Sequence, residues 1–588
     1  VKRELQVQTR LKKISLFLLC LFLLAGCTSP HFLKLLPSTK RALEANQLFS
    51  YQYARMQQMD AAELALYCPD LLSLPDETAN KSLLQLSCAQ FWLSSSHLTT
   101  TELQQATTLY NQSLTHFLQL MLPKQKYRHP ALRIVLEPPL DETGLPFENF
   151  VLASDFQAIK SHHQKIKGTG LGVSLVAARE NTGTGWDKNY PPEGIFRSVT
   201  VSLKELKFNK DLQIQLTLQG HLMQEATELR FTSASYPLLY DAASSYLWLM
   251  QQAKLADLEL PGLFNAELAD NKLGIYSVTP LQKNKQPLLM IHGLNSSPLI
   301  WYELTMAVLQ DEELKQRYQI WHAFYPSGPP PFYNSMRLRK KLDELHSMLK
   351  ANDDSEVLDQ MLVVGHSMGG IISKTLVQNT GYLLWDISFT ERPQQIAYAQ
   401  KELDKIQDIF IFNARPYIDK VVFMDTPHGG SESSESVLAK VASWFINLPK
   451  NFTLLMSNFI LKLGPDKITL AMREYLNGGG GPHSVQVLSP RHPLLQGLNK
   501  LEYQRPIYSI VGSDSALSCK DEKSCSQISD SVVPFFSAHQ AKAVQEIIVP
   551  SSHNSYQSPQ AIAFLLQVLR QPAGQAKILP LSPDKPDD

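Results

Sequence analysis

The chain has 588 residues, 44% of them hydrophobic, and its 55 basic and 55 acidic side chains cancel. That length exceeds one compact domain and supplies core enough for two or three. A balanced charge offers no basic field for a polyanion, so a nucleic-acid partner is excluded. At the start, Lys2, Arg3, Arg10, Lys12 and Lys13 precede the apolar stretch Ile14 to Leu24, which small residues and Cys27 follow. Eleven or so apolar residues cannot cross about 30 Å of hydrocarbon, so residues 1–26 are expected to be a cleaved signal peptide. Their removal takes five basic residues and one acidic residue, leaving the remaining chain about four charges negative.

Residues 27–125 are rich in Ala, Leu, Gln and Glu. Apolar residues recur at helical spacing in Ala42, Ala45 and Phe49, and again in Leu114, Phe117, Leu118 and Met121. This pattern predicts helical hairpins, without a period that would define a repeat array. The texture changes over residues 126–274. Arg133 to Leu136, Ser198 to Leu203 and Leu212 to Leu218 run or alternate as strands, predicting a mixed, β-rich region. Three roles stay open for it: a partner-binding face, extra strands for the following sheet, or a spacer.

Beyond residue 275 the apolar runs become short, continuous and punctuated by small residues. Pro287 to Ile291 ends at His292-Gly293-Leu294, and Ile320 to Phe324 ends at Tyr325-Pro326-Ser327-Gly328. Met361 to Val364 leads into Gly365-His366-Ser367-Met368-Gly369-Gly370. A strand, a sharp turn and a helix start are predicted there, with small residues two before and two after Ser367 because anything larger would obstruct so tight a turn. Such a turn presents Ser367 as a nucleophile.

A serine hydroxyl needs a base to take its proton, and the base needs a carboxylate to fix its tautomer. Asp530 precedes the apolar Val532-Val533, and His553 follows Ile547-Ile548-Val549. The backbone N–H groups of Leu294 and Met368 are the candidate oxyanion donors.

Four of these motifs, His292-Gly293-Leu294, the turn around Ser367, Asp425-Thr426-Pro427-His428-Gly429-Gly430-Ser431, and the Asp530 and His553 pair, together resemble an α/β-hydrolase of the lipase/esterase type over residues 275–572. The third is similar to a signature that follows a sheet strand in many bacterial lipases and in relatives acting on lipid-linked glycans. The resemblance implies an α/β fold, with a mostly parallel sheet flanked by helices, beside the N-terminal helical and β-rich regions. It also implies no cofactor and no metal, and hydrolysis of carboxylic esters through an acyl-enzyme. In this chain an extra segment with Cys519 and Cys525 precedes Asp530, which leaves Asp514 as a rival acid; Asp530 is favoured by its Asp-x-Val-Val-Pro context. Asp425 is a weaker rival that ends a strand and bonds nearby backbone. His428 is expected to steady its loop, and His366 to pack beside the nucleophile. Insertions at about 380–418, with Tyr382, Leu383, Leu384 and Trp385, and at 432–500, with Trp444-Phe445-Ile446, Phe452 and Gly478 to Gly481, are expected to be helical caps over an apolar acyl pocket. The alternative is that their aromatics are simply helix cores. Residues 573–588 are expected to be disordered.

Leu24-Ala25-Gly26-Cys27 resembles the lipobox of bacterial lipoproteins. The resemblance implies lipid on Cys27 and anchoring in the cell envelope, and Thr28 in second place implies the outer membrane. Cys20 leaves with the signal, so Cys68, Cys88, Cys519 and Cys525 remain. In an oxidising periplasm these are expected to pair as Cys68–Cys88 and Cys519–Cys525 rather than to bind zinc. The expected function is hydrolysis of lipid or other acyl esters. The alternatives are an acyltransferase of the same mechanism and an envelope interaction platform, with a protein partner of residues 27–274 unassigned.

Overall fold

The computed structural model describes residues 38–71, 79–122, 131–156, 169–223, 228–253, 270–351, 355–431, 449–476, 484–515 and 518–574. Residues 1–26, expected to be a signal peptide, and Cys27, Thr28, Trp444 to Ile446, Gly478 to Gly481 and Pro580 to Asp588 lie outside them. The chain forms two compact units, the first from residues up to Leu136 with Leu203–Leu218 and Thr232–Ala234, the second from the rest. The region read as β-rich is thus divided, Glu137–Ser202 belonging with the larger unit.

In the first unit, helices α1 (Ser38–Met56), α2 (Ala61–Asp70), α3 (Ala79–Leu93) and α4 (Thr100–Met121) supply the hairpins. Asp60 with Glu63 starts α2 and Thr99 with Glu102 starts α4, each as a reciprocal capping box. Leu114, Phe117, Leu118 and Met121 are buried as their spacing predicts, whereas Ala45 is exposed and the inward face of α1 runs through Asn46, Phe49 and Met56. Asn46 turns inward because its amide donates to the carbonyls of Ala131 and Leu212, both at 2.9 Å. A buried amide with two acceptors loses nothing by leaving water. The Cys68–Cys88 disulfide ties α2 to α3.

The second unit is built on a seven-stranded sheet of β8 (Gly274–Ser277), β9 (Gln286–Ile291), β10 (Tyr318–Phe324), β11 (Met361–His366), β12 (Ile418–Met424), β13 (Ile507–Ser513) and β14 (Gln545–Pro550), numbered after the seven strands that precede it among the described residues. Its order is β14-β13-β12-β11-β9-β10-β8, with every pairing parallel except β8 on β10. The strands β9, β10, β11 and β13 are buried at every position. Burial on both faces is why they read as continuous apolar runs. Leu288, Met290, Val364, Val422 and Ile510 pack with Leu304 of α5 (Tyr302–Gln310) and with Phe564, Leu565 and Val568 of α6 (Pro559–Arg570). This is an α/β fold, a mostly parallel sheet flanked by helices. From β9 the chain goes to β10 on one side, then crosses to β11 on the other, so the loops after β9 and β11 part at their carboxyl ends. Such a reversal opens a crevice where ligands of open α/β sheets bind.

Candidate active site

Ser367 follows β11 directly, with φ 53° and ψ −124°. A non-glycine residue held there is strained, and only surrounding structure keeps it so. The restraint is visible: Ser367 N–H donates to the Met424 carbonyl at 2.9 Å, and a helix begins at once with Met368–Lys374. A Cβ on Gly369 would strike the carbonyls of Ile291 and His292, and one on Gly365 the Ser373 hydroxyl. The small residues around the serine are therefore imposed by the close approach of β9 and the helix.

His553, in the loop after β14, places Nε2 2.9 Å from Ser367 Oγ. Its Nδ1 lies 2.7 Å from Asp530 Oδ2. The other oxygen of Asp530 accepts the N–H groups of Val532 at 2.9 Å and Val533 at 2.6 Å. The carboxylate is thus held from behind while its free face meets the imidazole. With Nδ1–H donated to Asp530, Nε2 is left to accept the serine proton. Burial pulls the His553 pKa down, but the hydrogen bond and charge of Asp530 and the charge of Asp425 outweigh it, and the net shift is upward.

Of the two rival acids, the structure brings Asp530 to the histidine. Asp514 bonds the Ser531 hydroxyl instead, and its N–H donates to the Ser529 carbonyl at 2.8 Å.

At the end of β9, a Cβ on Gly293 would lie 2.9 Å from Ser367 Cβ, so the turn carrying Leu294 sits against the serine. Met368 opens its helix, where a backbone N–H has no carbonyl four residues back to satisfy it and the dipole favours an anion. Beneath this turn His292 is buried, its ring stacked 4.4 Å from Tyr325 and its Nδ1–H donating to the Gly293 carbonyl at 3.0 Å. Burial, the dominant cause, pushes its pKa down to about 4, so it is neutral. The Tyr325 hydroxyl donates to the His292 carbonyl at 2.6 Å, and Ser327 Oγ accepts the Asn295 N–H at 3.0 Å. The loop after β10 therefore props the turn after β9, a role that the Tyr-Pro-Ser-Gly motif alone did not reveal.

His366, Asp425 and His553 are the only His, Cys, Asp or Glu trio among the described residues whose ligating atoms gather, all within 4.8 Å. Those of His553 and Asp425 are engaged: His553 with Ser367 and Asp530, Asp425 with Gly512 and Ser555. His428 is buried beneath the loop after β12, 4.8 Å edge-on from Phe423.

The described parts of both insertions carry short helices, and most of their aromatics are packed against other side chains. Trp385 is buried against Phe389 and Phe410, and its indole N–H donates to the Glu391 carbonyl at 2.8 Å. Leu384 is also buried, while Tyr382 lies at the surface under the Arg392 guanidinium. In the second insertion Phe452 packs on Tyr333, and Phe459 on Phe389 and Tyr398. The Cys519–Cys525 disulfide closes a loop within the segment leading to Asp530.

No protein-family model matches the chain, and no curated protein matches it. Among solved structures it is similar to the Staphylococcus hyicus lipase, at 13% identity over 50% of this chain and 98% of that one, with a TM-score of 0.31. EstA of Clostridium botulinum aligns at 14% identity over 49% and 86%, with a TM-score of 0.30. A mature lipase of Bacillus licheniformis aligns at 13% identity over 50% and 97%, with a TM-score of 0.26.

Proposed function

We propose that the protein is a serine hydrolase that cleaves carboxylic esters, with lipid or other acyl esters as substrates. The observation that carries this reading is the unbroken hydrogen-bonded line Ser367 Oγ, His553 Nε2, His553 Nδ1, Asp530 Oδ2. In the reaction, Ser367 Oγ attacks the ester carbonyl as His553 Nε2 takes its proton. The N–H groups of Leu294 and Met368 hold the resulting oxyanion, and Asp530 steadies the imidazolium. His553 then gives its proton to the departing alkoxide, leaving an acyl-serine and the free alcohol. Water, deprotonated by the same nitrogen, attacks the acyl-serine, and that nitrogen returns the proton to Ser367 Oγ as the serine leaves and the acid is released. Aligned donors in a shielded site are the largest contribution to such catalysis.

The test is labelling with a fluorophosphonate probe followed by turnover of an ester series of rising acyl length. Wild-type protein is expected to label and to release acid, and Ser367→Ala to do neither; unlabelled wild type would sink the reading. A competing alcohol in the assay separates hydrolysis from acyl transfer by the product formed. We further propose that Cys27 carries lipid and holds the enzyme on the cell envelope. Metabolic labelling with a radioactive fatty acid, lost in Cys27→Ala, is the expected result.

A further inference from the structure

His366 and Met424 are opposite one another on the parallel strands β11 and β12. The next residues, Ser367 and Asp425, both break into positive φ, at 53° and 49°. A second strained perch therefore stands beside the nucleophile's, and its side chain is a carboxylate with no solvent exposure. A buried carboxylate persists only when its lone pairs are satisfied. Asp425 Oδ1 accepts the Gly512 N–H and the Ser555 hydroxyl, each at 2.8 Å, and Oδ2 accepts the Ser555 N–H at 3.0 Å. Oδ2 also stands 3.7 Å from His366 Nε2. Ser555 lies two residues beyond His553, so the carboxylate grips the loop that carries the base. The grip by itself needs only an acceptor, yet a full charge is buried here, within 4.8 Å of a His553 ring nitrogen. Among the described residues, the ionisable side chains facing His553 are Asp530 at Nδ1, Ser367 at Nε2, Asp425, and His366, whose ring centre is 5.0 Å from that of His553. Burial drives the His366 pKa down, so it brings no opposing positive charge at neutral pH.

We propose that Asp425 is a positioning residue for the relay: its carboxylate pins the His553 loop through Ser555 and sets a second negative charge beside the imidazole, so that the imidazolium formed on attack is stabilised from two sides. This rests on the serine-hydrolase reading. No proton passes to Asp425; the serine proton goes to His553 Nε2 and Nδ1–H stays with Asp530. The charge of Asp425 counts among the causes that raise the His553 pKa. Without that charge the base is weaker and is neutral at lower pH.

The experiment is the rate of fluorophosphonate labelling of the full chain from pH 5 to 9. Asp425→Asn is expected to move the acid midpoint down by about one pH unit and to lower the plateau roughly 3- to 10-fold. Ser555→Ala keeps the charge but frees the loop, and is expected to lower the plateau severalfold with the midpoint unmoved. A folded Asp425→Asn protein with the wild-type midpoint overturns the electrostatic half of the proposal, and a wild-type rate in Ser555→Ala overturns the pinning half. Where the asparagine variant does not fold, Asp425→Thr, also uncharged and hydrogen-bonding, carries the same test. Labelling that survives in Ser367→Ala would instead sink the hydrolase reading itself.

Discussion

The ends of β11 and β12 share a positive φ and bear different chemistry. Both residues leave the sheet at φ near 50°, in register, yet Ser367 keeps 7% of its surface exposed and Asp425 none. The difference lies in the segment downstream of each. After Ser367 a glycine-flanked helix starts at once and holds the hydroxyl up at the crevice; after Asp425 a Thr-Pro-His-Gly-Gly loop lets β13 and the His553 loop close over the carboxylate. A strained strand end is thus a perch, and the neighbours decide whether it serves as a tool or as a clamp.

The largest expected effects separate the two carboxylates. Asp530→Asn should lower the ester-cleavage rate on the order of 10⁴-fold, because the amide favours the wrong imidazole tautomer. Asp425→Asn should cost far less, and a steady-state assay ranking them the other way would exchange their roles. Next comes packing. Gly369→Val should destabilise by about 3 kcal/mol or prevent folding, since its side chain meets backbone carbonyls on β9. Gly429→Ala on the other loop should cost about 1 kcal/mol, because a Cβ 3.3 Å from the Ser537 backbone asks that neighbour to give by only a few tenths of an ångström. Chemical denaturation of the two variants checks the contrast.

The pH profile sharpens the comparison further. Burial opposes the His553 charge, but the carboxylates prevail, so its pKa is above the ordinary 6.5. The base must be neutral to act, so wild-type kcat/KM should fall as pH drops through a value above 6.5. A further small effect concerns the bridge between the two loops. Lys374, on the helix after Ser367, donates to Asn499 at 2.5 Å, and the Asn499 amide donates to the His428 carbonyl at 2.5 Å. Burial pushes the Lys374 pKa down to about 7, against about 10.4 unfolded. Between these values the unfolded chain binds the extra proton, so stability rises with pH across that window and the penalty is complete below it. Lys374→Met should therefore gain roughly 1 kcal/mol near pH 6, a gain that fades toward pH 10 in melting curves.

The strands were legible because burial on both faces leaves an unbroken apolar signature. The turn at Ser367 was legible because its constraint is local, small residues at fixed offsets. The choice between Asp514 and Asp530 depended on which way one loop folds back, and Val532 and Val533 decide it by holding Asp530 from behind. What escaped detection depends on distant partners. Asn46 reads as a surface residue until Ala131 and Leu212 arrive, and nothing near Asp425 announces Ser555, 130 residues further on. The aromatics of the first insertion gave no sign of whether they faced outward or inward, because helical spacing is the same in both cases.

The staple between Cys519 and Cys525 has a practical corollary. Cys525 sits in a small apolar cluster with Val511, Ile528, Val533 and Phe535, the cluster on which the Asp530 segment rests. Recombinant material made in a reducing cytosol would carry free thiols there, so preparations from cytosolic and secretory hosts should be treated as different reagents until their specific activities have been matched.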